Sequence, residues 1–377
     1  MANAGGLHKR ALTSLADHDG VLDEILARLP VKSLMRFRCV CNSWRSLISQ
    51  SHFVTKHFTY ASQGITESTS RLLFSTNPVE SIDYEALKDL NDEDSHLAIR
   101  KLKFPVMFPD SSITTIIGSC NGLICIDVDQ EGIVIWNPCT GEANVLPKRT
   151  DDCIPQFWGF GYDSTHDDYK VVRGYNYRVR GSKETVVQVF SLKSGSWRTH
   201  EGLGYFNLAG RGCLLNGVLH WLETTFTDYH PTGSRIISFD LGEEEFREML
   251  ALPYNACFSY IFTLGDCLSV YRLGFLHNET TGFRIWMMKG VKESWTEVIS
   301  SESLPEEYEL SLLTPLCILE NGEVLMVKID NYQSLVLYSP KEQIFRVVIR
   351  TQNKWKLDTA IYRETLVSPV TRRVADI

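Results

Sequence analysis

Over residues 21–29 apolar side chains recur at three- and four-residue steps (Val21, Leu22, Ile25, Leu26, Leu29), the spacing of one helix face. Pro30 removes a backbone donor and ends that run. A second run starts at Ser33 and puts Leu34, Phe37, Val40, Cys41, Trp44, Leu47 and Ile48 on one face, while Asn42-Ser43 offers a cap that divides it into two short helices. The spacing therefore predicts three helices in about 35 residues. A bundle of that size buries too little apolar surface to stand alone, since chains below roughly 40 residues need outside help. Part of its apolar face belongs either to a partner or to the rest of the chain, as a helical cap, and periodicity leaves both readings open.

Residues 71–75 read as an extended segment. The stretch 80–94 holds seven acids and one lysine, the composition of a solvated loop. Beyond Gly118 the pattern changes to short alternating or fully apolar runs separated by Gly, Asn, Asp and Pro turns. Five runs end in an aromatic before a turn, at Trp136, Phe190, Phe239, Trp286 and Tyr338, spaced 54, 49, 47 and 52 residues apart. In three of them a further aromatic follows seven residues on, at Trp197, Phe246 and Phe345; Trp295 follows Trp286 by nine, and Ala143 holds that place in the first. A short hairpin brings such pairs together across neighbouring strands, for a few tenths to about 1 kcal/mol.

The other half of the repeat shows as Asn121-Gly122, Asn216-Gly217 and Asn321-Gly322, each among apolar residues. Asn-Gly favours the positive backbone angles of a tight hairpin. Two hairpins per repeat make four strands, and four-stranded units of about 50 residues repeated about five times predict a β-propeller. A large β-sandwich is the alternative, with turns about every 8–12 residues and no longer period. A sixth blade follows if residues 71–75 and 96–117 pair with a C-terminal strand at 360–367 and close the ring.

At 377 residues the chain exceeds one ordinary core, and 44% hydrophobic with 11% aromatic residues excludes a disordered polymer. No run approaches the roughly 18 apolar residues of a membrane helix, and the first twenty residues lack the apolar core of a secretory signal. A cytoplasmic and/or nuclear placement without a membrane partner is expected. The ten cysteines fit it, because they are scattered from Cys39 to Cys317 without a CxxC pair and read as reduced thiols. Charge is uneven: residues 1–60 hold eight Lys or Arg against four Asp or Glu, a net +4, which leaves −12 on the rest of a chain whose total is −8. Between residues 31 and 60 lie Lys32, Arg36, Arg38, Arg45 and Lys56 with no acid, which points to an acidic protein partner. Nucleic acid is not expected, since the whole chain is acidic and Phe37, Val40 and Trp44 fall on much of the same surface.

The run Val21-Leu22-Asp23-Glu24-Ile25-Leu26-Ala27-Arg28-Leu29-Pro30-Val31-Lys32-Ser33-Leu34, with Arg36-Phe37-Arg38-Cys39-Val40-Cys41 and Ser43-Trp44-Arg45 behind it, resembles the F-box motif, above all its plant form. The resemblance implies helices that pack on the acidic Skp-type adaptor of a Skp-cullin-F-box ubiquitin ligase. By position, Val21, Leu22, Ile25, Leu26, Leu29, Pro30, Leu34, Val40, Cys41 and Trp44 would form the adaptor-facing and supporting apolar surface. Lys32, Arg36 and Arg38 would supply rim charge, which speeds and orients association more than it tightens it. The Leu-Pro pair that opens the motif elsewhere is Asp17-His18 here. A lost leucine contact of that kind weakens docking by about 1.5–3 kcal/mol.

The later segments Gly118-Ser119-Cys120-Asn121-Gly122-Leu123-Ile124-Cys125, Trp136-Asn137-Pro138-Cys139-Thr140-Gly141-Glu142, and Gly159-Phe160-Gly161-Tyr162-Asp163 followed by Asp168-Tyr169-Lys170-Val171-Val172 resemble the F-box-associated or kelch-related domain of plant F-box proteins. True kelch repeats carry paired glycines, whereas the single Gly-Gly here is Gly5-Gly6, outside the domain. The chain thus divides into a disordered start at 1–13, a small all-α F-box of three helices at 14–60, and a linker at 61–110 with an acidic loop and a possible ring-closing strand. An all-β propeller-like domain of about five to six blades follows at 111–367, with a tail at 368–377.

Catalytic and metal motifs are weak. Asp127 to Gly132 copies the opening of a calcium loop, but Pro138 stands where a bidentate Glu is needed. There is no HExxH, and His220 beside Trp221 reads as a packed strand residue. No cofactor, metal or catalytic residue is assigned. The resemblance implies a substrate-recognition subunit that contacts the adaptor, through it the cullin, and an unidentified protein substrate. An adaptor-binding protein without a degradative role and a propeller enzyme are the alternatives. The loops at 156–158, 175–183, 225–234 and 254–260 are equally candidates for substrate contact and for packing.

Overall fold

The computed structural model describes residues 19–370 apart from 65–69, 77, 84, 90–97, 106–113, 129–131, 149–153, 180–181, 202–203, 205, 228–229, 250–251, 254–255, 275–281, 290–293, 309–310, 331–332 and 351–357. Asp17-His18, the segment 1–13 and most of the tail at 368–377 lie outside the described residues. Among the described residues four helices come first: α1 (Asp19–Leu26), α2 (Val31–Phe37), α3 (Asn42–Ile48) and α4 (Ser51–Ser62). Six antiparallel sheets follow, each of four strands in meander order, with one short extra strand added to the third.

Blade 1 closes the ring. Its strands Ser70–Phe74, Glu80–Asp83 and Arg100–Lys101 are joined on the inner edge by the C-terminal strand Thr359–Arg363, with Leu72 opposite Ile361. Blade 2 is Thr114–Cys120, Leu123–Val128, Gly132–Trp136 and Ala143–Val145, so residues 114–117 open this sheet instead of joining the closing one. Blades 3 to 6 begin at Phe157–Asp163, Cys213–Leu215, Tyr260–Leu264 and Leu312–Ile318, and these inner strands abut one another around a central channel. Of the stretch 80–94 expected to be a solvated acidic loop, the described residues 80–83 and 85–89 are built into blade 1. Glu80–Asp83 is a strand with Ser81 and Ile82 buried, and Glu85–Asp89 is a 3-10 turn with Leu87 buried. Glu80 and Asp83 stand half-buried at the two ends of that strand, flanking Ser81 and Ile82.

The repeated aromatics sit where the seven-residue spacing predicts. Phe190 faces Trp197, Phe239 faces Phe246 and Tyr338 faces Phe345 across third and fourth strands, with ring centroids 5.2, 5.1 and 4.7 Å apart. Trp286 falls beside a bulge and faces Glu297, which leaves Trp295 opposite Met288. Asn121-Gly122 and Asn216-Gly217 both take positive φ at each residue, as tight hairpins need. At Asn321-Gly322 only the glycine is positive, and Asn321 Oδ1 accepts from the Glu323 backbone N–H instead.

The motif glycines and charges bind blades together. A Cβ at Gly161 would lie 2.5 Å from Leu214 Cδ1 and 2.6 Å from Leu241 Cδ1, so the bare position leaves room for two side chains of blade 4. Asp163 and Lys170 lie in the same segment. Lys170, nearly fully buried, reaches Asp163 and Glu244 at 2.9 Å each and donates to Leu241 O at 2.5 Å, clamping blade 3 to blade 4. Burial raises the Asp163 pKa, but Lys170 and His166 outweigh it and hold that carboxyl at about 2.

His220 is a packed residue, with Nδ1 2.8 Å from Ser238 Oγ, and burial pushes its pKa down to about 4. Its unfolded value is near 6.5, so the unfolded chain binds the extra proton first and this contribution to stability is lost as pH falls from 6.5 towards 4. The expected size is about 3 kcal/mol. Thermal midpoints measured between pH 7 and 4 should fall for the wild type and fall less for His220→Gln; parallel slopes would contradict this.

Candidate docking site on the helical module

Helices α1 to α4 fold around Leu26, Ala27, Val31, Leu34, Ile48 and Phe53. Helix α1 ends at Leu26, and after a turn over 27–29 Pro30 stands at the N-cap of α2 with extended ψ. Trp44 packs edge-on against Phe37 at 5.2 Å. Helix α4 holds the others from outside the predicted motif. His57 Nε2 lies 3.0 Å from Leu29 O, Tyr60 donates to Glu24 Oε2 at 2.8 Å, and Lys56 bridges Asp23 and Glu24. Hydrogen bonds to Asp23 and Glu24 hold the Lys56 pKa up at about 12.

Among the described residues of this module three large apolar side chains stand more than half exposed: Val21 (56%), Ile25 (55%) and Val40 (64%). Val21 and Ile25 are four residues apart on α1 and share a face. Leu22, Leu29, Pro30 and Trp44 are half-buried and Cys41 is exposed, so they border the accessible surface. Leu26 and Leu34 point inward at 2% and 0% exposure, which makes them supports beneath the surface and not contacts on it. Lys32 and Arg36, four apart on α2, are exposed cations, as is Arg45. Arg38 does not belong to that rim: its guanidinium turns to Glu142 of blade 2, 3.8 Å away.

That ion pair lies on a seam between module and propeller. Leu366, just past the last strand, enters the helical core, and Cys139 packs on its edge. Asn137, fully buried, donates to Thr365 O at 3.0 Å and Val367 O at 2.7 Å, and its Oδ1 accepts from Cys139 and Thr140 N–H. A Cβ at Gly122 would sit 2.6 Å from Arg363 O and closer still to Thr365 Oγ1. The C-terminal segment is thus latched into blade 2 and serves as the floor for the helices. Periodicity missed α4, although Phe53, His57 and Ala61 repeat at four-residue steps and are all buried. Leu366 carried no local signal.

In each blade the first-to-second and third-to-fourth turns fall on one side of the ring, and the second-to-third turns and crossovers fall on the other. Glu142, Cys139 and Leu366 are all on the first side, so the helical module sits there and the opposite side is uncovered by it. The channel is a cavity of about 640 Å³. Among its described lining residues Arg211 is the one charged side chain; it is 3.6 Å from Asp358 and donates to Thr359 O at 2.9 Å. Among the described residues no cluster of three His, Cys, Asp or Glu could hold a metal, and no helix is long and apolar enough to cross a membrane.

The chain joins a small helical module to one side of a six-bladed propeller, and each part matches a known family. Residues 18–56 match the F-box domain, and residues 74–369 match the F-box associated beta propeller domain. Three Arabidopsis thaliana proteins are similar along most of the chain. F-box/kelch-repeat protein At3g23880 is 30% identical over 93% of this chain and 94% of its own length. F-box protein At3g07870 is 29% identical over 90% and 92%, and F-box protein CPR1 27% identical over 82% and 79%. The chain belongs to the F-box-associated beta-propeller family.

Proposed function

We propose that this protein is the substrate-recognition subunit of a Skp-cullin-F-box ubiquitin ligase. Its helical module binds the Skp-type adaptor and, through it, the cullin, while the far side of the propeller holds a protein substrate. The observation that carries this is the exposed trio Val21, Ile25 and Val40 on a module whose core is filled by its own helices and by Leu366 of the propeller, with Lys32, Arg36 and Arg45 also exposed. Apolar side chains left bare on a small domain beside cations suit an acidic partner that covers them. The chain performs no chemistry: it raises the effective concentration of substrate near the ubiquitin-charged enzyme, and bond formation belongs to other subunits. It acts in the cytoplasm and/or nucleus.

The test is reconstitution with purified Skp-type adaptor and cullin. Co-elution of all three as one complex is expected, and transfer of ubiquitin to a protein held by the propeller separates a degradative subunit from an adaptor-bound one. Elution of the intact chain alone at micromolar concentration would end this reading.

A further inference from the structure

The central channel is lined from all six blades, and its described lining carries a single cation, Arg211. Arg211 lies on the short extra strand of blade 3, opposite Trp158. Trp158, Tyr260 and Thr359 each stand at or next to the start of an inner strand. Those starts lie away from the first-to-second turns, so Arg211 stands at the mouth of the channel on the side that the helices leave open.

The protein uses only part of this guanidinium, which has five N–H donors. Nη1 donates to Thr359 O at 2.9 Å and, more loosely, to Ile116 O at 3.5 Å, and a third bond reaches the Tyr260 hydroxyl. Asp358 Oδ1 is 3.6 Å away, beyond hydrogen-bond distance. The Asp358 oxygens accept instead from the backbone N–H groups of Ile116 at 2.7 Å and Thr359 at 3.0 Å. Five donors less these three leaves two without a partner among the described residues, on a side chain that is 26% exposed.

Much of the remaining lining is apolar. Leu214, Met287, Leu316, Ile318 and Ile361 are half-buried and keep part of their surface open. Burial pushes the Cys213 thiol up to about 12, so it stays neutral and sets no negative charge against an anion. Small ligands occupy mostly apolar cavities of about 300–1,000 Å³ with a few polar groups converging in them. A carboxylate takes the N–H groups of an arginine more strongly than a neutral acceptor does.

We propose that the channel binds an organic carboxylate with an apolar body, its charge on Arg211 and Tyr260 and its body against Leu214, Met287, Leu316 and Ile361. A free small acid and the C-terminal end of a protein chain share that chemistry. The site lies on the opposite side of the ring from the docking helices and does not depend on the ligase reading.

Isothermal titration of the full chain with phenylbutyrate and with phenylbutanol, which lacks only the charged group, tests it. The acid is expected to bind at least tenfold more tightly than the alcohol. Arg211→Gln should lower affinity for the acid at least tenfold and bring it level with the alcohol. Because Arg211 also ties blade 3 to blades 1 and 2, Leu316→Trp gives a second reading: it narrows the channel without touching the cation and should weaken both ligands. A short peptide ending in leucine with a free carboxylate, run beside its amide, separates the two sources. Binding of that peptide tighter than phenylbutyrate assigns the site to a chain end, and weaker binding assigns it to a free acid. No binding of either carboxylate at millimolar concentration, equal affinity for acid and alcohol, or wild-type affinity in folded Arg211→Gln or Leu316→Trp would overturn the proposal. Adaptor binding should be unchanged in both variants, which keeps this result separate from the ligase reading.

Discussion

Ile25→Asp is expected to abolish adaptor binding and leave the fold intact, whereas Leu26→Asp should unfold the helical module. The two residues are neighbours in sequence and opposite in exposure, 55% against 2%. At position 25 the substitution removes an apolar contact worth about 1.5–3 kcal/mol and places a carboxylate against an acidic partner, so the Kd should rise at least about a hundredfold. Val21→Asp and Val40→Asp should act in the same way. At position 26 the carboxylate would be buried beside Leu34, Ile48 and Phe53, with an expected cost of about 4–5 kcal/mol, enough to unfold so small a bundle. Far-ultraviolet circular dichroism and adaptor titration on the same preparations separate the cases. A folded Ile25→Asp that binds like wild type would show that α1 is not a docking face.

Asn137→Ala should loosen the ring closure and the helical module together. The side chain makes four hydrogen bonds from a fully buried position, and its loss strands Thr365 O and Val367 O as well as the Cys139 and Thr140 N–H groups. Orphaned groups of this kind cost about 1–3 kcal/mol each before relaxation, so a net loss of about 4 kcal/mol and roughly 10 °C in midpoint is expected. Because Leu366 lies between the latched carbonyls and enters the helical core, adaptor affinity should fall as well. Gly122→Ala should reproduce the effect from the opposite wall. A midpoint within about 2 °C of wild type for Asn137→Ala would mean that the latch contributes little.

Much of this was legible in the chain because its signals are local. The seven-residue aromatic pairs and the Asn-Gly turns are hairpin properties, and hairpins report their own register, so both the propeller and its period could be read. Helices α1 to α3 were legible for the same reason, through spacing and Pro30. What stayed hidden depends on long-range contact. Leu366 lies more than 300 residues from the helical core it completes, and no periodicity marks it. Lys56 reads as a free cation until α4 folds it onto Asp23 and Glu24, and Arg38 reads as rim charge until blade 2 brings Glu142 to it. Within the motif itself, residue order could not separate Ile25 from Leu26, because the helix face that meets a partner and the face that meets the core are both apolar.

Hydrogen exchange of the full chain, alone and with purified Skp-type adaptor, tests the docking face most directly. Slower exchange in α1, in α2 and around Val40, with the six blades unchanged, is the outcome expected if those helices are covered by the adaptor. Protection confined to the blades, or no protection anywhere at saturating adaptor, would contradict it.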